Sequence, residues 1–344
     1  YYAEKLRAQK YALDESQTKP YFQADSVLKG VFTAASKIYG LKFEEVTGEV
    51  EVYEPTVHAY KITDADGSFV GIFYRDYYVR PTKRGGAWMN NFRDDKTGVR
   101  PVIVNVCNFP FPAEDQPSLL TIDNVQTAFH EFGHALHGFL SKCNYTTVSG
   151  TSVARDFVEM FSQFNENFAF VPEILVEYAN DYKTGEPIPA ELVEKIQKSL
   201  KFNQGFMTGE LAAASILDMK WHELSSAQLA EIDGPQGVRD FEAKVCDEMG
   251  LIGEIIPRYR TTYFNHIMAS GYSAGYYGYL WSEVLAADAW EKFKEDGIFN
   301  PATAQSFRET FLERGGSEEP MTLYVQFRGA VPDPSALMRA RGLK

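Results

Sequence analysis

Cysteine is scarce in this chain: Cys107, Cys143 and Cys246 are the only three among 344 residues. They cannot form a disulfide framework without a leftover, and none has C-x-x-C spacing, so they read as ordinary thiols. That usage suits a cytoplasmic protein and leaves a periplasmic one open, since a signal peptide would lie at a true N-terminus that is expected to be missing here. No run of about 20 apolar residues occurs, so no transmembrane helix is expected. Basic residues are outnumbered, 34 Lys and Arg against 47 Asp and Glu, for a net charge of −13. This balance argues against nucleic acid or an anionic membrane as a partner. Repeats and low-complexity tracts are also absent. What remains is ordinary for a soluble globular protein, 44% apolar and 24% charged, long enough to bury a large core.

Histidine is scarce as well, six in all, yet two of them fall in His130-Glu131-Phe132-Gly133-His134. In a helix, residues four apart project from one face about 6 Å apart along the axis, so the two imidazoles can share a metal. Neutral imidazole suits Zn²⁺, and Glu131 between them can take a proton from a zinc-bound water. Helical context is present: Thr121 and Asp123 supply cap-type residues, and Val125, Phe129, Phe132, Leu136 and Phe139 recur as an apolar stripe. His137 lies a turn beyond His134, too far along the axis to join the same ion, and reads as packing or as support to the ligands. The third ligand must come from elsewhere.

Residues 149 to 170, SGTSVARDFVEMFSQFNENFAF, offer one. Phe157, Phe161, Phe164 and Phe168 mark an apolar helical face, while Glu159 and Glu166 stand seven residues apart on another. Glu159 would complete a His₂Glu site with an open fourth position, and Glu166 could hold the far nitrogen of a ligating histidine. By spacing alone, either could equally be a solvated helix carboxylate.

The rest of the chain divides by pattern. Residues 1–49 read as a helical opening segment, with two helices over 3–40 interrupted at Lys19-Pro20. Residues 50–110 suggest a small sheet: TVHAYKIT and SFVGIFYRDYYV alternate around an Asp64-Ala65-Asp66-Gly67 turn, and PVIVNVCNF follows a polar loop. Residues 111–344 are dominated by helical patterns broken at Pro172, Gly185 to Pro189, Gly234-Pro235 and Pro301. The expected fold is mainly α, with a short sheet beside the metal-binding helix. Gly85, Gly86 and Ala87 form either an open edge for an extended peptide or a glycine-rich turn. Residues 259 to 281 are dense in Tyr and Gly, a composition more often core than catalytic, and Ala269 to Gly278 suggests a loop able to close over substrate.

The segment FHEFGHALHG, followed by SGT, RDFVE and SQ, with GGAWM before it and HIMASGYSAGYYGYLW after it, resembles the M3 family of zinc metallopeptidases, most nearly its bacterial peptidyl-dipeptidase branch. The likeness runs from YYAEKLR to RGLK. It implies a zincin-like catalytic domain holding one Zn²⁺ on His130, His134 and Glu159, with Glu131 as base. It further implies Tyr272 and Tyr279 as donors to the oxyanion, His266 at the substrate backbone, Gly86 and Ala87 at the substrate edge, and Tyr276 as a weaker candidate. One departure stands out: the family usually has Pro where Phe161 stands, which bears on helix packing more than on the metal. Family members are about twice this long, so the chain is expected to be a catalytic C-terminal half, with self-association or an N-terminal partner half following from that. The implied reaction is release of C-terminal dipeptides from short peptides. The alternatives are internal cleavage by an oligopeptidase, or an inactive zinc-binding half serving assembly. Recognition of a free C-terminal carboxylate calls for a guanidinium fork, and Arg258 and Arg260 are candidates against the reading of surface salt bridges. His58 and His222 read as structural.

Overall fold

The computed structural model describes residues 1–343, and its architecture follows from where glycine and proline interrupt otherwise apolar helical and alternating patterns. The helix Ala24–Tyr39 buries Val27, Leu28, Val31, Ala34, Ala35 and Ile38, an i, i+3, i+4 stripe, and ends where Gly40 takes φ +73°. The two helices expected over 3–40 are three: Tyr2–Tyr11 stops at Ala12 in the left-handed region, and a one-turn helix Glu15–Thr18 follows under an Asp14 capping box. Pro20, lacking an N–H, then sits in a one-turn 3₁₀ helix, Lys19–Tyr21.

Five strands form one sheet: β1 (Lys42–Glu45), β2 (His58–Thr63), β3 (Phe69–Tyr78), β4 (Trp88–Arg93) and β5 (Val102–Phe109), in the order β1-β2-β3-β5-β4. β2 and β3 are the expected hairpin, turning at Asp64 to Gly67, and β5 lies parallel to β3. Both edge strands went unread in the sequence. β1 falls inside the segment assigned to helix, and β4 inside the polar loop. Edge strands are short and polar because one side of each meets solvent, so the alternation that marks a central strand is missing.

The helix Ile122–Leu140, hereafter the histidine helix, lies on this sheet. Small residues set its distance from the strands: a Cβ on Gly71 would fall 2.9 Å from the Phe139 ring, and one on Gly138 would fall 2.5 Å from Ile103. On its other face runs Arg155–Glu166, the glutamate helix, and beyond that Gly278–Asp296. Phe157, Phe161, Phe164, Phe168, Phe293, Phe307 and Phe311 fill the space behind, ring against ring. A second, smaller core gathers Ala214, Phe264, Ile267 and Tyr276 beneath the helix Gln204–His222. Several of the proline breaks prove to be helix starts: Pro172, Pro235 and Pro301 all occupy first-turn positions, where the missing N–H costs nothing. No helix among the described residues is long and apolar enough to cross a membrane.

Candidate active site

A close helix-to-helix approach is made possible by Gly133. A Cβ there would lie 2.6 Å from the Phe161 carbonyl oxygen and 2.7 Å from Ser162 Cα, so the glutamate helix seats directly on the histidine helix. Asn165 secures the contact by donating to the Phe129 carbonyl at 2.6 Å, and from the sheet side Asn105 donates to the Glu131 carbonyl at 2.7 Å. With the helices this close, Glu159 Oε2 stands 3.1 Å from His134 Nε2 and 3.3 Å from His130 Nε2. One donor atom from each of His130, His134 and Glu159 lies within 4.8 Å of the others, the arrangement a single cation needs. Glu166 Oε1 lies 2.6 Å from His130 Nδ1, fixing which ring nitrogen faces Glu159.

The electrostatics are those of a cation site. Burial raises the Glu131 carboxyl above its ordinary range, and its Oε2 has no hydrogen-bond partner among the described residues. Burial also acts to raise Glu159, but the two imidazoles outweigh it and hold that carboxylate well below its usual range. For His130, desolvation lowers the pKa while Glu159 and Glu166 raise it, and the carboxylates prevail. Three carboxyl groups around the buried His134 and the partly buried His130 leave negative charge that a divalent ion would neutralise. Two imidazoles and a carboxylate, with an unpartnered carboxyl alongside, fit Zn²⁺.

A cavity of about 860 Å³ opens over this cluster, lined by Gly86, Ala87 and Trp88 on one side and by Tyr259, Tyr263, His266, Tyr272 and Tyr279 on the other. Gly85 to Ala87 form a turn, with Gly86 at φ +91°, that leads into the free edge of β4; the two readings of that stretch describe neighbouring residues. Tyr272 donates to Glu159 Oε1 at 2.6 Å, and its ring stacks on Tyr279 at 5.1 Å. Burial first, and negative Glu159 second, push both phenols far above their ordinary range, so they stay protonated donors. Burial, followed by the charge of Arg258, lowers His266, whose Nδ1 is buried without a partner.

Other residues singled out in the sequence lie elsewhere. Tyr276 does not line the cavity: it is buried in the smaller core against Phe264. Arg260 is paired with the buried Glu242, and Arg258 lies by Tyr259 and Tyr276; neither guanidinium reaches the cavity. The arginines that line it are Arg84 and Arg155. Arg155 stands one helical turn before Glu159, a spacing from which it could have been found, and rests 4.6 Å over the Tyr272 ring. Arg84 stacks near Trp88. No carboxylate pairs with either among the described residues. His137 is fully buried, its ring 3.9 Å from Phe161, with no hydrogen-bond partner for either nitrogen among the described residues. Phe161, at the position where Pro is usual, therefore serves packing. His58 meets Glu45, and His222 meets Asp218.

The model of peptidase family M3 matches residues 1–343. The chain belongs to peptidase family M3. It is 44% identical over 348 residues to dipeptidyl carboxypeptidase of Escherichia coli, covering 100% of this chain and 50% of that protein. To oligopeptidase A of the same organism it is 38% identical over 355 residues, covering 100% and 51%. The chain thus spans about half the length of the curated relatives it matches. Among solved structures it resembles the carboxypeptidase of Pyrococcus furiosus (TM-score 0.54, 14% identity, 99% of this chain, 64% of that one) and the M32 carboxypeptidase of Deinococcus radiodurans (0.53, 13%, 99%, 65%). At such identities the likeness is one of fold alone, a mainly helical architecture.

Proposed function

We propose that this chain carries the catalytic centre of a zinc-dependent peptidase that releases dipeptides from the C-terminus of short peptides. The observation that carries the reading is the convergence of His130, His134 and Glu159 within 4.8 Å, beside the unpartnered carboxyl of Glu131. Zinc held by those three residues would supply Lewis acidity and a water that ionises near neutral pH. The remaining work falls to the chain. Glu131 accepts a proton from the attacking water and returns it to the leaving amine. Tyr279 and His266, across the cavity from β4, donate to the carbonyl oxygen as charge develops on it. Tyr272 and Glu166 hold Glu159 and His130 in place.

The edge of β4 gives the substrate a direction. A peptide pairing antiparallel with β4 would run its C-terminus toward Gly86 and Arg84, where an unpaired guanidinium can fork onto a carboxylate. That direction supports action at the substrate's C-terminal end, as does the similarity to dipeptidyl carboxypeptidase. Similarity to oligopeptidase A supports a second reading, cleavage at internal bonds. Product analysis on an N-terminally blocked pentapeptide separates them. A released dipeptide with a blocked tripeptide supports the first reading; cuts indifferent to the C-terminus support the second. No cleavage by the metal-loaded protein would leave an assembly role, for which an N-terminal partner half or a second copy is the proposed partner.

A further inference from the structure

Tyr272 and Tyr279, two of the cavity's tyrosines, sit on the stretch His266 to Tyr279, mostly turns between the short helix Asn265–Met268 and the helix Gly278–Asp296, and it must nevertheless present two hydroxyls to fractions of an ångström. Most of its hydrogen bonds are internal. Tyr272 N donates to the His266 carbonyl at 3.1 Å, Gly275 N to Tyr272 at 2.9 Å, and Ser273 Oγ to Ile267 at 2.6 Å. Such a loop is shaped but not thereby placed. Its backbone is tied to other elements at two places: at its end, where Gln163 Nε2 donates to the Tyr279 carbonyl at 2.9 Å, and at the turn itself, where it meets Asp218, more than fifty residues earlier on the helix Gln204–His222. One carboxylate oxygen accepts from Ala274 N at 2.9 Å and the other from Tyr276 N at 2.8 Å. Asp218 is completely buried.

The backbone between those bonds is strained. Ala274 has φ +52°, a conformation costly for a residue with a Cβ, and its side chain is exposed, so no packing of its own compels it. The two bonds to Asp218 do. A carboxylate taking two neighbouring N–H groups gains from charge-assisted bonds in a buried setting, and it holds the tight αL turn that aims Tyr272 and Tyr279 in one direction. Tyr276, between them, is locked into the smaller core by the same contact. His222, 2.8 Å from Asp218 Oδ1 and partly exposed, closes the buried carboxylate off from solvent.

We propose that Asp218 is a positioning residue, whose buried carboxylate clamps the Ala274 turn and thereby sets the aim of the Tyr272 hydroxyl at Glu159 and of the Tyr279 hydroxyl into the cavity. The catalytic half of this inference rests on the peptidase reading; the clamp does not. Asp218→Asn keeps the shape but turns an amide donor toward one of the two backbone N–H groups, losing one bond and opposing two donors.

The test, made in the whole protein, combines hydrogen exchange with kinetics. In Asp218→Asn, amide exchange over 269–278 should speed up at least about tenfold while the histidine helix stays protected. Metal content at saturating zinc should be unchanged, and zinc affinity should weaken no more than in Tyr272→Phe. With a blocked peptide substrate, kcat should fall about 10- to 100-fold and KM shift less than about threefold. In a Tyr272→Phe/Tyr279→Phe background the same substitution should cost nothing further in kcat. A merely structural role would instead lower both backgrounds alike, and that outcome overturns the proposal, as does unchanged exchange in the loop. Should Asp218→Asn not fold, Ala274→Val leaves the carboxylate in place and strains the αL turn from its exposed side. It should give the same kcat loss at constant KM, and wild-type kcat there would equally overturn the proposal. If the wild-type protein cleaves no peptide, the peptidase reading fails, and exchange alone decides the clamp.

Discussion

Tyr272 reaches Glu159 across 113 residues of sequence, its hydroxyl 2.6 Å from Oε1, while Oε2 of the same carboxylate faces both histidines. The loop tyrosine is therefore bonded to a metal-site carboxylate and not only poised over the cavity. Tyr272→Phe should weaken metal binding about 10-fold or more, the usual cost of losing a partner that orients a ligand. Tyr279→Phe should leave metal affinity intact and lower kcat by about 10²-fold. Competitive titration with a chromophoric chelator, run on both variants, separates the two roles; equal affinities would show that the Tyr272 bond contributes nothing to the site.

Gly133 carries a second prediction. Its missing Cβ is what lets the glutamate helix approach to within 2.6 Å of where that atom would stand. Gly133→Ala must push the helices apart, at a cost of about 2–3 kcal/mol in stability. Because Glu159 moves with its helix, metal content should fall too. Denaturant unfolding with metal analysis of the same sample checks both, and a stable variant that keeps its metal would show that the helix contact is slack.

If the proposed dipeptide release holds, the arginines lining the cavity should recognise the peptide's C-terminal carboxylate. Amidating a peptide C-terminus removes charge worth about 1.5–3 kcal/mol to a bidentate guanidinium, so free peptides should be preferred roughly 10- to 150-fold in kcat/KM. Arg84→Ala should erase that preference, and Arg258→Ala and Arg260→Ala should leave it. Comparing free and amidated substrates across the three variants decides the matter, and a preference that survives Arg84→Ala would place the receptor elsewhere, with Arg155 next in line.

Much of this site was legible because helical periodicity is local. His130, His134 and Glu159, with Glu131 and Glu166, follow from spacing on two helices and from the family resemblance. The central hairpin likewise follows from alternation around Asp64 to Gly67. What escaped depends on distant parts of the chain. β1 and β4 carry no alternating signal, since an edge strand is held by its neighbour more than by its own side chains. Arg258 and Arg260 suited a carboxylate by type, but the buried Glu242 takes one and the aromatic surroundings of Tyr259 and Tyr276 the other. Asp218 gave no sign at all, because its partners are backbone N–H groups more than fifty residues away.

His137 predicts a pH dependence of stability. Burial depresses its pKa from 6.5 to about 3, so it is neutral in the folded protein. The unfolded chain binds a proton near pH 6.5 that the fold excludes, so stability is lost as pH falls from about 6.5 toward 3, at up to roughly 1.4 kcal/mol per unit. Both ring nitrogens also lack partners. His137→Leu should therefore leave stability at pH 7 unchanged or raised by about 1 kcal/mol, and flatten the decline below pH 6.5. Urea unfolding at pH 7 and pH 4.5 tests this; a slope as steep as in the wild type would mean that His137 is not the group responsible.

The central claim is that Glu131 acts on water while His130, His134 and Glu159 hold the ion. The most direct test is zinc stoichiometry measured beside turnover in Glu131→Gln and Glu159→Ala, each dialysed against a weak chelator. The account predicts about one zinc per chain with turnover all but abolished in Glu131→Gln, and loss of both in Glu159→Ala. Near wild-type turnover in Glu131→Gln, or stoichiometric zinc retained by Glu159→Ala, would contradict it.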